Sequence, residues 1–123
     1  MTSISLQSGK IISGSKDGKV AITSLNGGSY KLEKVFELGA ATQTVPKSID
    51  FFNDNILVGL RNGSILEFKN VFEEDAESRS KVLMQSHFEG EVWGLVVVDD
   101  QRVVTCGDDN RIMMFDLTTR KCT

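Results

Sequence analysis

Short apolar runs, rich in β-branched residues and separated by glycine, asparagine and aspartate, recur along the 123-residue chain. The runs do not form a stripe of period 3.6 long enough for an amphipathic helix, and they are typical of strands. Dipeptides such as Asp17-Gly18 and Asn62-Gly63 stand between runs and favour the tight turns of β-hairpins. The pattern predicts an all-β chain with strands at 10–15, 19–25, 31–38, 47–52, 55–60, 64–70, 81–85, 91–98, 102–106 and 111–117.

The strands also repeat as groups. Three segments align: ISGSKDGKVAITSL from Ile12, LVGLRNGSILEFKN from Leu57 and VTCGDDNRIMMFDL from Val104. The apolar residue after each turn moves from Val20 to Ile65 to Ile112, spacings of 45 and 47 residues. A period of about 40–45 residues with four strands per unit is typical of a β-propeller blade. We expect one domain over 1–123, with approximate repeats 1–38, 39–86 and 87–123.

The last repeat resembles the WD-repeat family. Ser86-His87 stands where that family has Gly-His, Asp109 lies in the tight turn, and Phe115-Asp116 takes the place of Trp-Asp. Thr105 matches the family's strand hydroxyl. The resemblance implies WD-repeat β-propeller blades of four antiparallel strands, about two and a half to three of them in an incomplete or open propeller. It also implies a hydrogen-bonded network of His87, Thr105 and Asp109, weakened because Phe115 lacks an indole N–H.

Finer details are similar to the echinoderm microtubule-associated protein-like (EMAP-like) family. The segments HFEGEVWGL at 87–95, TCGDDNRIMMFD at 105–116 and ILVGLRNGSILEF at 56–68 carry this resemblance. It implies a non-catalytic protein-protein interaction scaffold on the cytoskeleton, with tubulin or microtubules as partners, in the cytoplasm or a cilium or flagellum. A WD-repeat adaptor of a ubiquitin ligase or trafficking coat is the alternative. A propeller hydrolase would need convergent carboxylates or a metal near the central channel.

Composition narrows the function classes. Hydrophobic residues make up 40% of the chain and charged residues 25%, which is a globular composition. The net charge of −3 and the pI of about 5.1 argue against nucleic-acid or anionic-membrane partners. The apolar runs fall short of the roughly 18–20 residues that cross a bilayer. Cys106 and Cys122 show no CxxC spacing, so a zinc site or disulfide framework is not indicated, and a reducing cytosol fits.

The residues that could carry chemistry have structural interpretations. His87 is a candidate acid or base, but the sequence offers it no catalytic partner, and a structural role in orienting Asp109 is the favoured interpretation. The pairs Asp99-Asp100 and Asp108-Asp109 lack the ligand spacing of a calcium loop. Glycines recur at turn positions and do not form a phosphate-binding loop. We therefore expect no enzyme activity, no cofactor and no bound metal.

The candidate binding surface is the rim that holds the predicted His and Asp loops. Alternation over 91–98 places Trp93 with Leu95 and Val97 on one strand face. Trp93 then either packs between blades or contacts a partner near the channel mouth. The rest of this surface reads as a protein interface or as ordinary solvated surface, and its candidate residues are Lys16, Arg61, Phe88, Glu89, Glu91 and Asp108.

Closure is the last expectation. Propellers close with at least four blades, and the first unit of this sequence lacks most of an inner strand. An open assembly exposes apolar blade faces and strand edges. We expect the remaining blades to come from the same parent chain or from other chains. Alone, the chain should aggregate or self-associate through the face of Trp93, Leu95 and Val97.

Overall fold

A computed structural model describes residues 3–7, 9–38, 45–72, 81–85 and 91–123. Within these ranges the chain forms strands and no helix, and so no helix there could cross a membrane. The strands are β1 Ser3–Gln7, β2 Lys10–Gly14, β3 Lys19–Asn26, β4 Ser29–Glu37, β5 Pro46–Phe52, β6 Asn55–Leu60, β7 Ser64–Phe68, β8 Lys81–Gln85, β9 Val92–Val97, β10 Arg102–Gly107 and β11 Ile112–Asp116. They build a first sheet (β1–β4), a second sheet (β5–β8) and a third sheet (β9–β11), all antiparallel.

The three sheets lie side by side with their inner strands together. β1 packs against β5, and β5 packs against β9, while each later strand lies further from that centre. In the third sheet, Cys122 bridges to Phe115, so the chain turns back along the free edge of β11. The predicted all-β architecture, antiparallel blades of an incomplete propeller, is confirmed.

Ten strands lie within two residues of the predicted positions, among the residues that the structure describes. The expectation that the first unit lacks most of its inner strand is wrong, because β1 pairs with β2 from Ser3↔Gly14 to Gln7↔Lys10. The segment SISLQ was missed because serine alternates with its apolar residues, which leaves no continuous apolar run. Pairing along β2 satisfies its backbone groups without such a run.

Two apolar clusters hold the sheets together. Between the first and second sheets, buried side chains interlock, and the rings of Phe36 and Phe68 lie 5.2 Å apart. Between the second and third sheets, the described cluster is smaller and centres on Val103 and Phe115. Burial of this apolar surface is the main force that aligns the inner strands.

The turns after β2, β6 and β10 lie at the same edge of the three sheets and have a left-handed residue at the same position. Gly18, Gly63 and Asn110 have φ angles of 82°, 84° and 59° at the same turn position. A side-chain oxygen one residue earlier closes two of the turns: Asn62 Oδ1 accepts the Ser64 N–H at 3.0 Å, and Asp109 Oδ1 accepts the Arg111 N–H at 3.1 Å. Glycine and asparagine tolerate this left-handed conformation.

Candidate functional site

Two β-bulges at this edge turn a pair of side chains away from the sheets. In β5, the pairing with β6 passes from Pro46↔Leu60 to Ser48↔Gly59 and omits Lys47. In β9, the pairing with β10 passes from Gly107↔Val92 to Cys106↔Gly94 and omits Trp93. A bulge leaves the extra residue unpaired and re-aims its side chain. Lys47 and Trp93 are therefore presented from equivalent positions of two adjacent inner strands.

The indole of Trp93 is held in place although 55% of the residue is exposed. Its Nε1–H donates to Asp108 Oδ1 at 2.5 Å, and the Lys47 ammonium lies 4.8 Å from the ring centroid. A cation at that distance over an indole is attracted by the ring quadrupole. The ring thus has a fixed orientation and an accessible surface.

Asp108 joins the turn after β10 to the start of β9. Its Oδ2 accepts the Glu91 N–H at 2.8 Å, and its own N–H donates to the Glu91 carbonyl oxygen at 3.1 Å. The pKa of the Asp108 carboxyl lies below its ordinary value, first because of the Glu91 N–H and second because of the Trp93 indole N–H. The ionised carboxylate is the form that holds the tryptophan.

The carboxylate of Glu91 forms ion pairs with two cations beside Trp93 and Asp108. Its carboxylate lies 3.1 Å from the Lys47 ammonium and 3.2 Å from the Arg61 Nε, with 16% of the side chain exposed. A carboxylate that pairs with two cations at partial burial fixes both of them better than a fully exposed pair would. We call Lys47, Arg61, Glu91, Trp93 and Asp108 the rim cluster.

The structure brings together some of the candidate binding residues and not others. Arg61, Glu91 and Trp93 are members of the rim cluster, together with Asp108 of the predicted rim. Lys16 is exposed in the corresponding turn of the first sheet, outside the cluster. Phe88 and Glu89 lie outside the described residues.

The prediction that Trp93 shares a strand face with Leu95 and Val97 is wrong. Leu95 and Val97 pack on the cluster between the second and third sheets, whereas the indole is exposed beside Asp108. The bulge is the physical reason, because it interrupts the two-residue alternation between Val92 and Gly94. Trp93 is therefore not buried in the apolar cluster between the second and third sheets, and its contact with the second sheet is the Lys47 ammonium over its ring.

Lys47 was missed by the sequence reasoning, although a signal was present. Pro46 has no N–H to donate and is confined to strand starts, edges or bulges, and Gly94 inside a strand often marks a bulge. These two residues flank Lys47 and Trp93. Read together, they would have indicated that both inner strands break their alternation at this point.

The predicted network around His87 stays a prediction, because His87 lies outside the described residues. Of its other members, Thr105 is 1% exposed on β10, and Phe115 is 5% exposed in the cluster facing the second sheet. Asp109 caps the tight turn after β10. Both Cys106 and Cys122 are free thiols.

The chemistry of the rim cluster suits recognition of a surface. It combines an oriented tryptophan with an arginine, two of the residue types that dominate binding energy at protein interfaces, and it carries charges of both signs. In the part of the chain that the structure describes, no three histidine, cysteine, aspartate or glutamate side chains are placed to hold a metal ion.

Comparison with known proteins identifies a relative and a fold. No family model matches the chain. It is 44% identical over 115 residues to a protein named ciliary WD repeat-containing protein ctxp80, from Euplotoides octocarinatus. That match covers 94% of this chain and 14% of the relative, so the chain spans about one seventh of the relative's length.

Two solved structures share the fold. The computationally designed Ika4 protein matches 99% of this chain and 69% of its own, with a TM-score of 0.70 and 15% identity. The computationally designed Ika8 protein matches 97% of this chain and 34% of its own, with a TM-score of 0.67 and 18% identity. The chain thus has an all-β, incomplete propeller fold and a close sequence likeness to a ciliary WD-repeat protein.

Proposed function

We propose that this chain is part of a non-catalytic protein-interaction scaffold in the cilium, and that the rim cluster is its contact surface. The observation that carries the proposal is Trp93, which a bulge turns outward and which Asp108 and Lys47 hold in one orientation. A rigid, half-exposed tryptophan loses little conformational entropy when a partner covers it. The likeness to a protein named ciliary supports the location.

We further propose the finer assignment, a microtubule-associated protein of the EMAP-like type with tubulin as the partner. The resemblance in the segments HFEGEVWGL and TCGDDNRIMMFD supports it, and Glu91 and Trp93 of the rim cluster lie within the first of them. The rim cluster carries the negative charges of Glu91 and Asp108 beside the positive charges of Lys47 and Arg61, which suits a partner of mixed charge.

Further blades are partners of a second kind in this proposal. Val20 and Ile65 follow the tight turns of the first two sheets and are fully buried against the next sheet. Ile112 has the same position in the third sheet and is 81% exposed. A further blade, from the same polypeptide or another, would cover Ile112 as the second sheet covers Val20.

Co-sedimentation with assembled microtubules tests the proposal, with Trp93→Ala compared against Tyr30→Ala. Tyr30 is 70% exposed on β4 and serves as a matched exposed aromatic away from the rim cluster. Loss of a hot-spot tryptophan costs at least about 2 kcal/mol, so Trp93→Ala should weaken binding by roughly 30-fold. Tyr30→Ala should bind like the unaltered chain.

Two outcomes would contradict the proposal in different ways. If the unaltered chain stays in the supernatant, microtubules are not its partner. If the unaltered chain sediments more with microtubules than without them, and Trp93→Ala shows the same increase, the rim cluster is not the contact surface.

A further inference from the structure

One turn position carries a charged residue in each of the three sheets. Lys16, Arg61 and Asp108 each stand two residues before the left-handed residue of the turn after the second strand of their sheet. Lys16 is exposed in the first sheet, outside the rim cluster, whereas Asp108 is bound to the indole of Trp93 in the third. Arg61 differs from both, because it is anchored at one end of its guanidinium and open at the other.

The anchor of Arg61 is a single nitrogen. Its Nε lies 3.2 Å from Glu91 Oε1, and 57% of the Arg61 side chain is nevertheless exposed. A guanidinium has further N–H groups on its two terminal nitrogens, and these form a planar fork on the side away from Nε. Glu91 thus fixes the guanidinium and leaves this fork accessible to a partner.

The two carboxylates of the rim cluster are engaged by the chain itself. Glu91 pairs with Arg61 through one oxygen and with Lys47 through the other. In Asp108, one oxygen accepts the Trp93 indole N–H and the other accepts the Glu91 N–H. The Lys47 side chain is only 19% exposed. The charge of the rim cluster that is most open to a partner is therefore the positive charge of Arg61.

We propose that the rim cluster recognises an acidic segment of its protein partner. A glutamate or aspartate carboxylate of that segment binds the Arg61 fork, and an apolar side chain beside it covers Trp93. The inference rests on the proposed function, since it names the chemistry of the partner at the same surface. Two parallel N–H···O bonds to one carboxylate are the geometry that a guanidinium favours. Because Glu91 already holds Nε, Arg61 loses less side-chain freedom on binding than an unanchored arginine does.

One short peptide can reach both contacts. Arg61 pairs with Glu91, Glu91 pairs with Lys47, and the Lys47 ammonium lies over the Trp93 ring. Five extended residues span roughly 17 Å, which is enough to follow this chain of contacts. Two carboxylates already lie in the rim cluster, so a singly charged carboxylate is accommodated more easily there than a doubly charged phosphate.

Saturation-transfer NMR of small peptides tests the proposal, because it observes the ligand whatever the size of the protein species. The probes are acetyl-EEFEE-amide and acetyl-QQFQQ-amide, which has nearly the same shape but no charge. With the full 123-residue chain at fixed ionic strength, the acidic peptide should bind at least about tenfold more tightly than the neutral one. Equal binding of the two peptides, no binding of the acidic peptide, or its displacement by inorganic phosphate overturns the proposal.

Two matched variants locate the contact. Arg61→Gln and Lys16→Gln each remove one positive charge from the same turn position of neighbouring sheets. Arg61→Gln should lose at least about tenfold in affinity for the acidic peptide, whereas Lys16→Gln should lose less than about twofold. Because both side chains are exposed, the urea midpoints of the two variants should stay close to that of the unaltered chain. Retained binding in folded Arg61→Gln, or an equal loss in Lys16→Gln, overturns the assignment.

Co-sedimentation separates the failure of this inference from the failure of the proposed function. A chain that binds the acidic peptide through Arg61 but does not bind microtubules keeps this inference and loses microtubules as the partner. A chain whose microtubule binding falls in Trp93→Ala but not in Arg61→Gln keeps the proposed function and loses this inference.

Discussion

The two interfaces between neighbouring sheets use the same strands in the same order and are built differently. In the first interface, between the first and second sheets, isoleucine, valine and phenylalanine fill the space, with the Phe36 and Phe68 rings tilted at 41° to each other. In the second interface, polar groups replace part of the apolar cluster. Ser48, Asp50 and Glu67 are buried on the face of the second sheet that meets the third.

At the second interface, side-chain hydrogen bonds replace part of the apolar packing. Ser48 Oγ donates to the Val92 carbonyl oxygen at 2.9 Å, and Asp50 Oδ2 accepts the Val97 N–H at 2.7 Å. Both bonds join β5 to β9, whose backbones do not pair in a sheet. Gly59 permits the close approach, because a Cβ there would lie 2.6 Å from Val92 Cγ1.

The difference shows how one repeat fold can separate stability from binding. The first interface is filled by a dense apolar core that contains both Phe36 and Phe68. At the second interface, side-chain hydrogen bonds join β5 to β9. The edge opposite the rim cluster can therefore stay open as a cleft beside Glu67. The same two strands carry the bulges that present the rim cluster.

The largest expected effect is a loss of stability from a substitution in the apolar first interface. Phe68→Ala should destabilise the chain by about 3–5 kcal/mol, since it empties the centre of a buried cluster. Phe115→Ala, the matched change at the second interface, should cost less, because its partners Met113 and Leu117 are partly exposed already. Urea unfolding measures both. A larger loss at Phe115 would mean that the second interface is the stronger one.

The next largest effect is expected from removing a hydrogen-bond acceptor at the second interface. Asp50→Ala removes the acceptor for the N–H groups of Val97 and Phe51, and each buried amide left without a bond costs about 1–3 kcal/mol. The Val97 amide should then exchange with deuterium faster, while amides of β3 keep their relative protection. Asp100→Ala, an exposed carboxylate, should change stability by no more than about 0.5 kcal/mol. Unchanged exchange at Val97 would show that Asp50 does not hold β9.

Much of the fold follows from local patterns in the sequence. The tight turns at 17–18, 62–63 and 109–110 fix the hairpins, and the spacing of Val20, Ile65 and Ile112 gives the repeat. These signals involve neighbours in the chain, so composition and periodicity capture them. β1 escaped because its identity as a strand depends on a partner, β2, more than on its own apolar content.

The rim cluster was only partly predictable, since its contacts join distant segments. Glu91 and Arg61 were recognised as rim residues, but their ion pair brings together a strand start and a turn that are 30 residues apart. Trp93 was placed on the wrong face because strict alternation cannot foresee a bulge, although Gly94 hinted at one. Glu67 gave no signal, because a polar residue in a strand is ordinarily taken to face solvent.

The smallest expected effect is a titration of the rim cluster. Trp93 is the one tryptophan in the sequence, so the emission of the chain reports its indole. Hydrogen bonds from the Glu91 N–H and the indole N–H hold the pKa of Asp108 below its ordinary value of 3.8. Lys47 lowers it further, whereas desolvation and the nearby Asp109 oppose the shift. Because the folded pKa is lowered, the stabilisation by these bonds is present above the ordinary value and is lost as pH falls through the lowered one.

Trp93 emission should therefore stay constant from neutral pH down to about 4 and change with a midpoint below 3.8. Asp108→Asn keeps an oxygen acceptor without a titrating group, and its emission should lack this transition. A midpoint at or above the ordinary carboxyl value would show that Asp108 does not hold the indole in solution. A transition that persists in Asp108→Asn would show that another group causes it. Either result would show that Asp108 does not hold Trp93 in one orientation. The contrast between the rim cluster and the open cleft at the opposite edge depends on that orientation.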